Sequence, residues 1–227
     1  MSRSLWSAVG AVVFALVVAV GAVVVTRAAS APAPGTSDVS PAASSTSAVP
    51  GGSSADAGFA RDMAAHHQQA VEMSFVVRDR TRDADVRRLA YDIANTQANQ
   101  RGMLLGWLDL WGLPKIASPD VPAMGWMGHA DHAGVPEPKE DGLMPGMATR
   151  AELAALGRAS GKQAEIQYLR LMTTHHRGGV AMAQGCAKLC TVPAERALAQ
   201  GMADAQQSEL DLMDTMLKER GAGGGER

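Results

Sequence analysis

Apolar and polar positions recur at helical spacing from residue 57 onward. At 100° per residue, the residues of the first clear stripe all lie within about 80° of Met63 around the helix, and charged residues such as Arg61 and Asp79 flank them. A second helix is predicted over residues 83–111, and Gly112 and Pro114 terminate it. Residues 57–112 therefore predict a helical hairpin. The stripe of its first helix consists of Met63, His66, His67, Ala70, Met73, Ser74 and Val77.

The same pattern returns 109 residues later, where residues 172–182 repeat residues 63–73. The register also holds over the following helix, in which Gln206 takes the place of Gln97. Helices are therefore predicted over residues 160–189 and 193–220, preceded by a short helix over residues 149–156. Two hairpins with one apolar face each bury those faces against one another. The predicted fold is all-α, an antiparallel four-helix bundle over residues 57–220.

The two predicted hairpins, 57–112 and 149–220, are joined by residues 113–148, which are rich in Pro and Gly and predict a long loop. Such loops inside compact domains are commonly functional. Its potential soft and borderline metal donors are Met124, Met127, His129, His132, Met144 and Met147. The alternative interpretation is a flexible linker without a binding role.

The first 56 residues predict export. Residues 5–25 are apolar and uncharged, and Arg3 and Arg27 flank them, so segment 1–27 is either a transmembrane helix or a cleaved signal. Residues 28–56 are rich in Ala, Pro and Ser and predict a disordered tether. Because a short basic N-terminus tends to stay inside, the C-terminal domain is expected on the extracytoplasmic side. The expected location is thus the cell membrane as a single-pass protein, or the medium after cleavage.

The duplicated stripe places paired imidazoles between thioethers, and this mixture of borderline nitrogen and soft sulfur donors suits copper as Cu(I) or Cu(II). Imidazole is costly to bury without a partner, so packing alone is a weak explanation for a duplicated pair. Adjacent His side chains diverge by about 100°, so each ion would draw its ligands from facing helices or from the loop. The predicted metal ligands are His66, His67, His175, His176, Met63, Met73, Met172 and Met182.

Cys186 and Cys190 lie four residues apart on the same face as Met182. In an exported protein such a pair is expected to form a disulfide or remain inert, and Cu(I) thiolate ligation is the alternative. The expected hydrogen-bond partners of the His rings are the inward-facing Gln97, Gln100, Gln206 and Glu209. Their alternative role is a buried network that sets helix register.

Composition or motif spacing argues against several other functional classes. The chain has 227 residues and a formal net charge of -2, and near neutrality argues against nucleic acid as a partner. It contains no Glu-x-x-His for a di-iron bundle, no Cys-x-x-Cys-His for covalent haem and no His-Glu-x-x-His for a zinc protease. With 13 Met and 4% aromatic residues, part of the methionine content is expected to be core packing.

These motifs resemble the DUF305 family, an exported bacterial group, over about residues 57–219. The likeness rests on both Met-x-x-His-His-x-x-x-x-x-Met copies and on the helix that follows each. It implies a ferritin-like four-helix architecture and a metal-binding His-His signature, and some members are regarded as periplasmic copper-binding proteins. This sequence departs from the family in having Gln100 where Glu is usual and Arg177-Gly178-Gly179 in the second copy.

The leading hypothesis is an exported, membrane-tethered protein that sequesters or hands on copper. One alternative is a metal-dependent bundle oxidase, which the lack of carboxylates at ligand spacing disfavours, so an enzymatic role is the weaker expectation. A second alternative is a metal-free interaction module at the cell surface. The expected partners are a metal ion and the membrane.

Overall fold

The part of the chain that the structure describes contains five α-helices, and their order follows the predicted repeat. The computed structural model describes residues 49–118, 120–128, 138–140 and 142–223, and these ranges contain no strand. The predicted all-α helical bundle is thus confirmed. The helices are α1 (Ala55–Arg80), α2 (Ala84–Leu110), α3 (Arg150–Arg158), α4 (Gly161–Leu189) and α5 (Pro193–Glu219).

Where a suitable side chain precedes a helix, it caps the start of that helix. Ser54 accepts from the amide of Ala57 at the start of α1, and Thr149 forms a capping box with Glu152 at the start of α3. Helix α5 is capped from a distance, because Asp56 on α1 accepts from the amides of residues 191 and 192 at 2.8 and 2.7 Å. This contact fixes the start of α5 against the start of α1.

Helices α1 and α4 form the central pair, α2 packs on α1, and α5 packs on α4. The short α3 contacts both central helices. Buried apolar side chains fall into two clusters, one around Met63 and Met182 and the other around Met73 and Met172. Since the cluster around Met63 precedes the His pair on α1 and follows it on α4, the central helices run antiparallel.

Several predictions about the N-terminal region fall outside the described residues. The predicted anchor, 1–27, and most of the predicted tether, 28–56, lie there. Helix α1 begins at Ala55, two residues before the predicted start of the bundle at residue 57, because Ser54 supplies the cap. Among the described helices, none is apolar enough over a sufficient length to cross a bilayer. The ferritin-like topology that the resemblance implies stays a prediction.

Candidate metal centre

The four predicted His ligands lie together between the two central helices. His66 and His67 project from α1 and His175 and His176 from α4, and all four side chains are completely buried. The ring centroids of His66 and His175 are 3.7 Å apart, and those of His175 and His176 are 6.3 Å apart. Antiparallel packing of two copies of one motif therefore produces a single layer of imidazoles, which we call the histidine layer.

Each ring in the histidine layer has an oxygen atom within hydrogen-bonding distance of Nε2. On the α1 side, the Nε2 of His66 lies 3.2 Å from the carbonyl oxygen of Pro145. The Nε2 of His67 lies 2.9 Å from the Oε1 of Gln100.

The two rings on α4 have equivalent partners. The Nε2 of His175 lies 3.0 Å from the carbonyl oxygen of His66. The Nε2 of His176 lies 2.6 Å from a carboxylate oxygen of Glu209. All four partners are oxygens that accept, so Nε2 donates in each ring, and Nδ1 carries a lone pair in the neutral tautomer that this bond selects.

Burial keeps the rings of His66, His67 and His175 neutral. Desolvation lowers the pKa of His66 to about 4, although the Pro145 carbonyl opposes the shift. Desolvation and the neighbouring His66 lower the pKa of His67 to about 3. The pKa of His175 also falls well below its ordinary value, chiefly through desolvation. Near neutral pH these imidazoles need no deprotonation before they bind a metal ion.

The Nδ1 atoms of His66, His67, His175 and His176 are all buried without a hydrogen-bond partner. Unpartnered buried polar atoms are uncommon because each costs about 1–3 kcal/mol. In the histidine layer, no three ligand atoms of His, Cys, Asp or Glu lie within 4.8 Å of one another, a statement limited to the described residues. A site formed there in this arrangement would need thioether ligands in addition to imidazoles.

The predicted thioether ligands lie on both sides of the histidine layer. Met63, Met73, Met172 and Met182 are fully buried, and each belongs to one of the two apolar clusters. The cluster around Met63 is especially rich in sulfur. It also contains Met124, Met127, Met144, Met202, Cys186 and Cys190.

Part of the predicted loop folds back onto the bundle. Met124 and Met127 lie in the sulfur-rich cluster because Asp62 accepts from the amide of Met124 at 2.7 Å and from the indole N–H of Trp126 at 2.9 Å. Met144 is buried and Met147 is half-buried beside the same cluster. The two remaining donors predicted in the loop, His129 and His132, lie outside the described residues.

The turn at Pro145 and Gly146 rests directly on α4, which the sequence did not predict. A Cβ at Gly178 would overlap the Pro145 carbonyl oxygen and lie 2.8 Å from its carbon atom. Gly146 has a φ of +82°, and a Cβ there would lie 2.5 Å from the Thr174 carbonyl oxygen. Gly178 therefore admits the turn that supplies the acceptor for His66. The available signal was the Gly-Gly pair inside a helix, which is unfavourable unless close packing requires it.

A glutamine on α1 holds the end of the loop, and the sequence analysis also missed this contact. The Nε2 of Gln69 donates to the carbonyl of Ala148 at 2.9 Å, and its Oε1 accepts from the Ala148 amide at 2.6 Å. The equivalent position in the second copy is Gly178. Gln69 of the first copy thus hydrogen-bonds to the end of the loop, whereas Gly178 of the second copy leaves space for the loop.

The predicted supporting residues divide into two groups. Gln100 and Glu209 bond the His rings, whereas Gln97 and Gln206 do not, so that part of the prediction is wrong. Both polar atoms of Gln97 and the Oε1 of Gln206 are buried without a partner. Gln206 does not reach a His ring because its amide packs against the backbone of Gly179.

Cys186 and Cys190 form a disulfide, which agrees with the first of the two predicted alternatives. Ligation of Cu(I) by their thiolates would first require reduction of this bond. Glu195 lies beside the disulfide and is fully buried. Desolvation and the nearby Asp56 carboxylate raise the pKa of Glu195 to about 9. No sequence signal marks this buried acid, because Glu is common in the first turn of a helix.

Comparison with known proteins identifies the family. The domain of unknown function DUF305 matches residues 56–217, about seven tenths of the chain. This chain belongs to the DUF305 family. A DUF305 protein of Streptomyces coelicolor, assigned as a secreted protein, is 59% identical with a TM-score of 0.69, and the match covers 78% of this chain and 100% of that one. None of the functionally curated proteins matches.

Two further solved structures share the fold. A DUF305 fragment from Deinococcus radiodurans is 32% identical with a TM-score of 0.58, and the match covers 73% of this chain and 96% of that one. CopM in its Cu(II)-bound form is 21% identical with a TM-score of 0.55, covering 73% of this chain and 97% of that one. CopM in its Cu(I)-bound form is 20% identical. At this level of identity, CopM demonstrates a common fold.

Proposed function

We propose that this DUF305 protein binds copper ions as cargo in the histidine layer and sequesters them or passes them on outside the cytoplasm. The observation that carries the proposal is the set of four buried Nδ1 lone pairs, at His66, His67, His175 and His176, that have no partner within the protein. Neutral imidazole accepts Cu(I) and Cu(II), and the flanking thioethers favour Cu(I). The Cu(I)- and Cu(II)-bound forms of CopM, which has the same fold, support the choice of metal.

The donor geometry favours Cu(I) as the better-held state. Because three imidazole or carboxylate ligand atoms do not converge in this layer among the described residues, an ion there combines imidazole with thioether donors. Such a soft ligand set suits Cu(I), which accepts low coordination numbers. Met63 and Met182 belong to the sulfur-rich cluster on one side of the layer. We propose this side as the source of the thioethers.

The export predicted from residues 1–27 is part of the same proposal. The Streptomyces coelicolor relative is assigned as secreted, which supports a location outside the cytoplasm. Attachment through the N-terminal segment would keep the bundle close to the membrane surface, where metal ions enter and leave the cell.

Copper titration of the full-length protein in mild detergent tests the proposal. We expect the protein to retain copper after desalting, measured by metal analysis, with nitrogen and sulfur neighbours in its X-ray absorption spectrum. A protein that emerges free of copper after near-stoichiometric loading would refute the proposal.

A matched pair of variants separates ligation from folding. In the double variant His66→Gln and His175→Gln, each Gln amide can still donate where Nε2 donated, but the Nδ1 lone pair is lost. We expect this variant to stay helical and lose copper. The control Met103→Leu changes a thioether that is 42% exposed and belongs to neither cluster, so it should retain copper. Equal copper retention in all three proteins would exclude the histidine layer.

A further inference from the structure

A second group of buried donors lies at the junction of α4 and α5. The Sγ atoms of Cys186 and Cys190 and a carboxylate oxygen of Glu195 all lie within 4.8 Å of one another. The three residues are 0%, 3% and 0% exposed. Cys186 follows His176 by ten residues, which corresponds to roughly 15 Å along a helix. The group is therefore separate from the histidine layer.

Glu195 lies beside Asp56, and its protonated carboxyl donates a hydrogen bond to the Asp56 carboxylate. Both of its carboxyl oxygens are buried, and neither accepts a hydrogen bond. Helix capping does not explain it, because Asp56 already accepts from the amides of Thr191 and Val192 at the start of α5. An apolar side chain would fill the same space without burying a second carboxyl beside Asp56. One carboxyl oxygen of Glu195 lies within 4.8 Å of both sulfur atoms, so it can complete a donor set with them.

The geometry points to a redox-controlled cation site, in which Cys186, Cys190 and Glu195 bind a divalent cation of the Zn²⁺ class once the disulfide is reduced. Two thiolates and one carboxylate are a ligand set that Zn²⁺ takes, with a fourth position left for water. The oxygen ligand distinguishes this site from one built for Cu(I), which is a soft ion and favours sulfur or imidazole nitrogen over carboxylate oxygen. While the disulfide is intact the sulfur atoms are bonded to each other and the site is closed.

The redox step needs an external reductant of the dithiol or phosphine class. With a dithiol, two electrons and two protons pass to the protein, the bond between the two sulfur atoms breaks, and two thiols form while the reductant becomes a disulfide. Binding of the cation then releases both thiol protons and the carboxyl proton to solvent. Access is through the α4–α5 junction, where Leu189 is 36% exposed and Thr191 is exposed.

Cobalt titration of the full-length protein under anaerobic conditions tests this inference, because Co²⁺ stands in for Zn²⁺ and its thiolate complexes absorb strongly. After reduction with a phosphine, we expect one equivalent of Co²⁺ to bind with thiolate charge-transfer bands, and Zn²⁺ to displace it. The oxidised protein should show no such bands. Bound Zn²⁺ should also protect both reduced cysteines from alkylation, measured by mass spectrometry.

Two variants assign the ligands. Glu195→Gln in the reduced state should weaken Zn²⁺ binding by about tenfold or more, since it removes a direct ligand. Glu165→Gln is the matched control, because Glu165 is a buried carboxylate that pairs with Arg220 at 2.9 Å elsewhere in the bundle, and it should leave Zn²⁺ affinity unchanged.

Four results would overturn the inference. They are the absence of thiolate bands in the reduced protein, loss of the helical circular dichroism signal on reduction, wild-type affinity in Glu195→Gln, and binding of Cu(I) without any binding of Zn²⁺ or Co²⁺. The proposed copper function does not depend on this site, because copper retention by the histidine layer is measured in the oxidised protein.

Discussion

Replacing Gly178 with Ala tests whether the loop turn positions the histidine layer. The Cβ of Ala would overlap the Pro145 carbonyl oxygen, which accepts from His66. The turn would have to retreat from α4 by roughly 1 Å or more to restore a normal van der Waals contact. The substitution therefore combines overpacking with loss of a buried hydrogen bond.

The expected magnitude follows from three opposing effects. Overpacking costs about 1–3 kcal/mol, and a His66 ring left without an acceptor costs about 1–3 kcal/mol more. The higher helix propensity of Ala offsets about 1 kcal/mol. We expect Gly178→Ala to lower the free energy of unfolding by about 1–5 kcal/mol.

Gly201 provides the matched control for this substitution. It lies inside α5, and a Cβ there would meet no atom within 4 Å. Gly201→Ala should therefore raise the free energy of unfolding by about 0.5–1 kcal/mol. Urea unfolding followed by circular dichroism, with equal m-values, measures both effects. If the two variants are equally stable, the turn does not rest on α4 and the geometry of the His66 acceptor is wrong.

Three further predictions concern titration and redox state. Because the folded-state pKa of Glu195 is raised to about 9 from 4.5, its stabilisation is present below about pH 4.5 and is lost as pH rises toward 9. In the oxidised, metal-free protein, the free energy of unfolding of Glu195→Gln relative to wild type should therefore rise by about 3 kcal/mol as the pH increases from about 5.5 to 7.5. Glu165→Gln, which loses its ion pair with Arg220, should show no such rise. The opposite sign applies to His66 and His67, whose folded-state pKa values lie near 4 and 3, so stability falls as pH drops below about 6.5. The Glu195→Gln variant removes the opposing titration and is the protein in which to measure this effect. In that variant, the two rings should lower the free energy of unfolding by about 3 kcal/mol as the pH falls from about 7.5 to 5.5. A flat profile would show that the rings are not held neutral. The Cys186–Cys190 disulfide closes a loop with a sequence separation of only four residues, so its reduction should lower the free energy of unfolding by about 2 kcal/mol. Complete unfolding on reduction would contradict this loop-entropy estimate.

The helices and the pairing of the two motifs were accessible from sequence because both depend on local periodicity. Apolar spacing fixed the faces of α1 and α4, and the constant offset of 109 residues indicated that His66 and His175 are equivalent. Antiparallel packing of equivalent faces then brings the two rings together. Helix ends were predicted to within two residues wherever Gly, Pro or a capping side chain marked them.

The loop contacts could not be derived in the same way, because a loop has no periodicity and its main contact is a backbone carbonyl. Any residue at position 145 offers a carbonyl group, so the acceptor for His66 has no side-chain signature. Gly178 did carry a signal, but the glycine reveals only that something approaches closely. The burial of Glu195 depends on Asp56, which lies 139 residues earlier and reaches the start of α5 only in the folded bundle.

The histidine layer is a polar layer inside an otherwise apolar bundle, and packing cannot account for it. Among the described residues, the unpartnered buried side-chain atoms include the four His Nδ1 atoms and three amide atoms of Gln97 and Gln206. Each such atom opposes folding, and apolar residues of similar size would remove the cost. The four Nδ1 atoms are therefore better explained by binding than by stability. The two candidate sites differ in one respect, because burial holds the imidazoles of His66, His67 and His175 neutral whereas the sulfur atoms become available only after reduction.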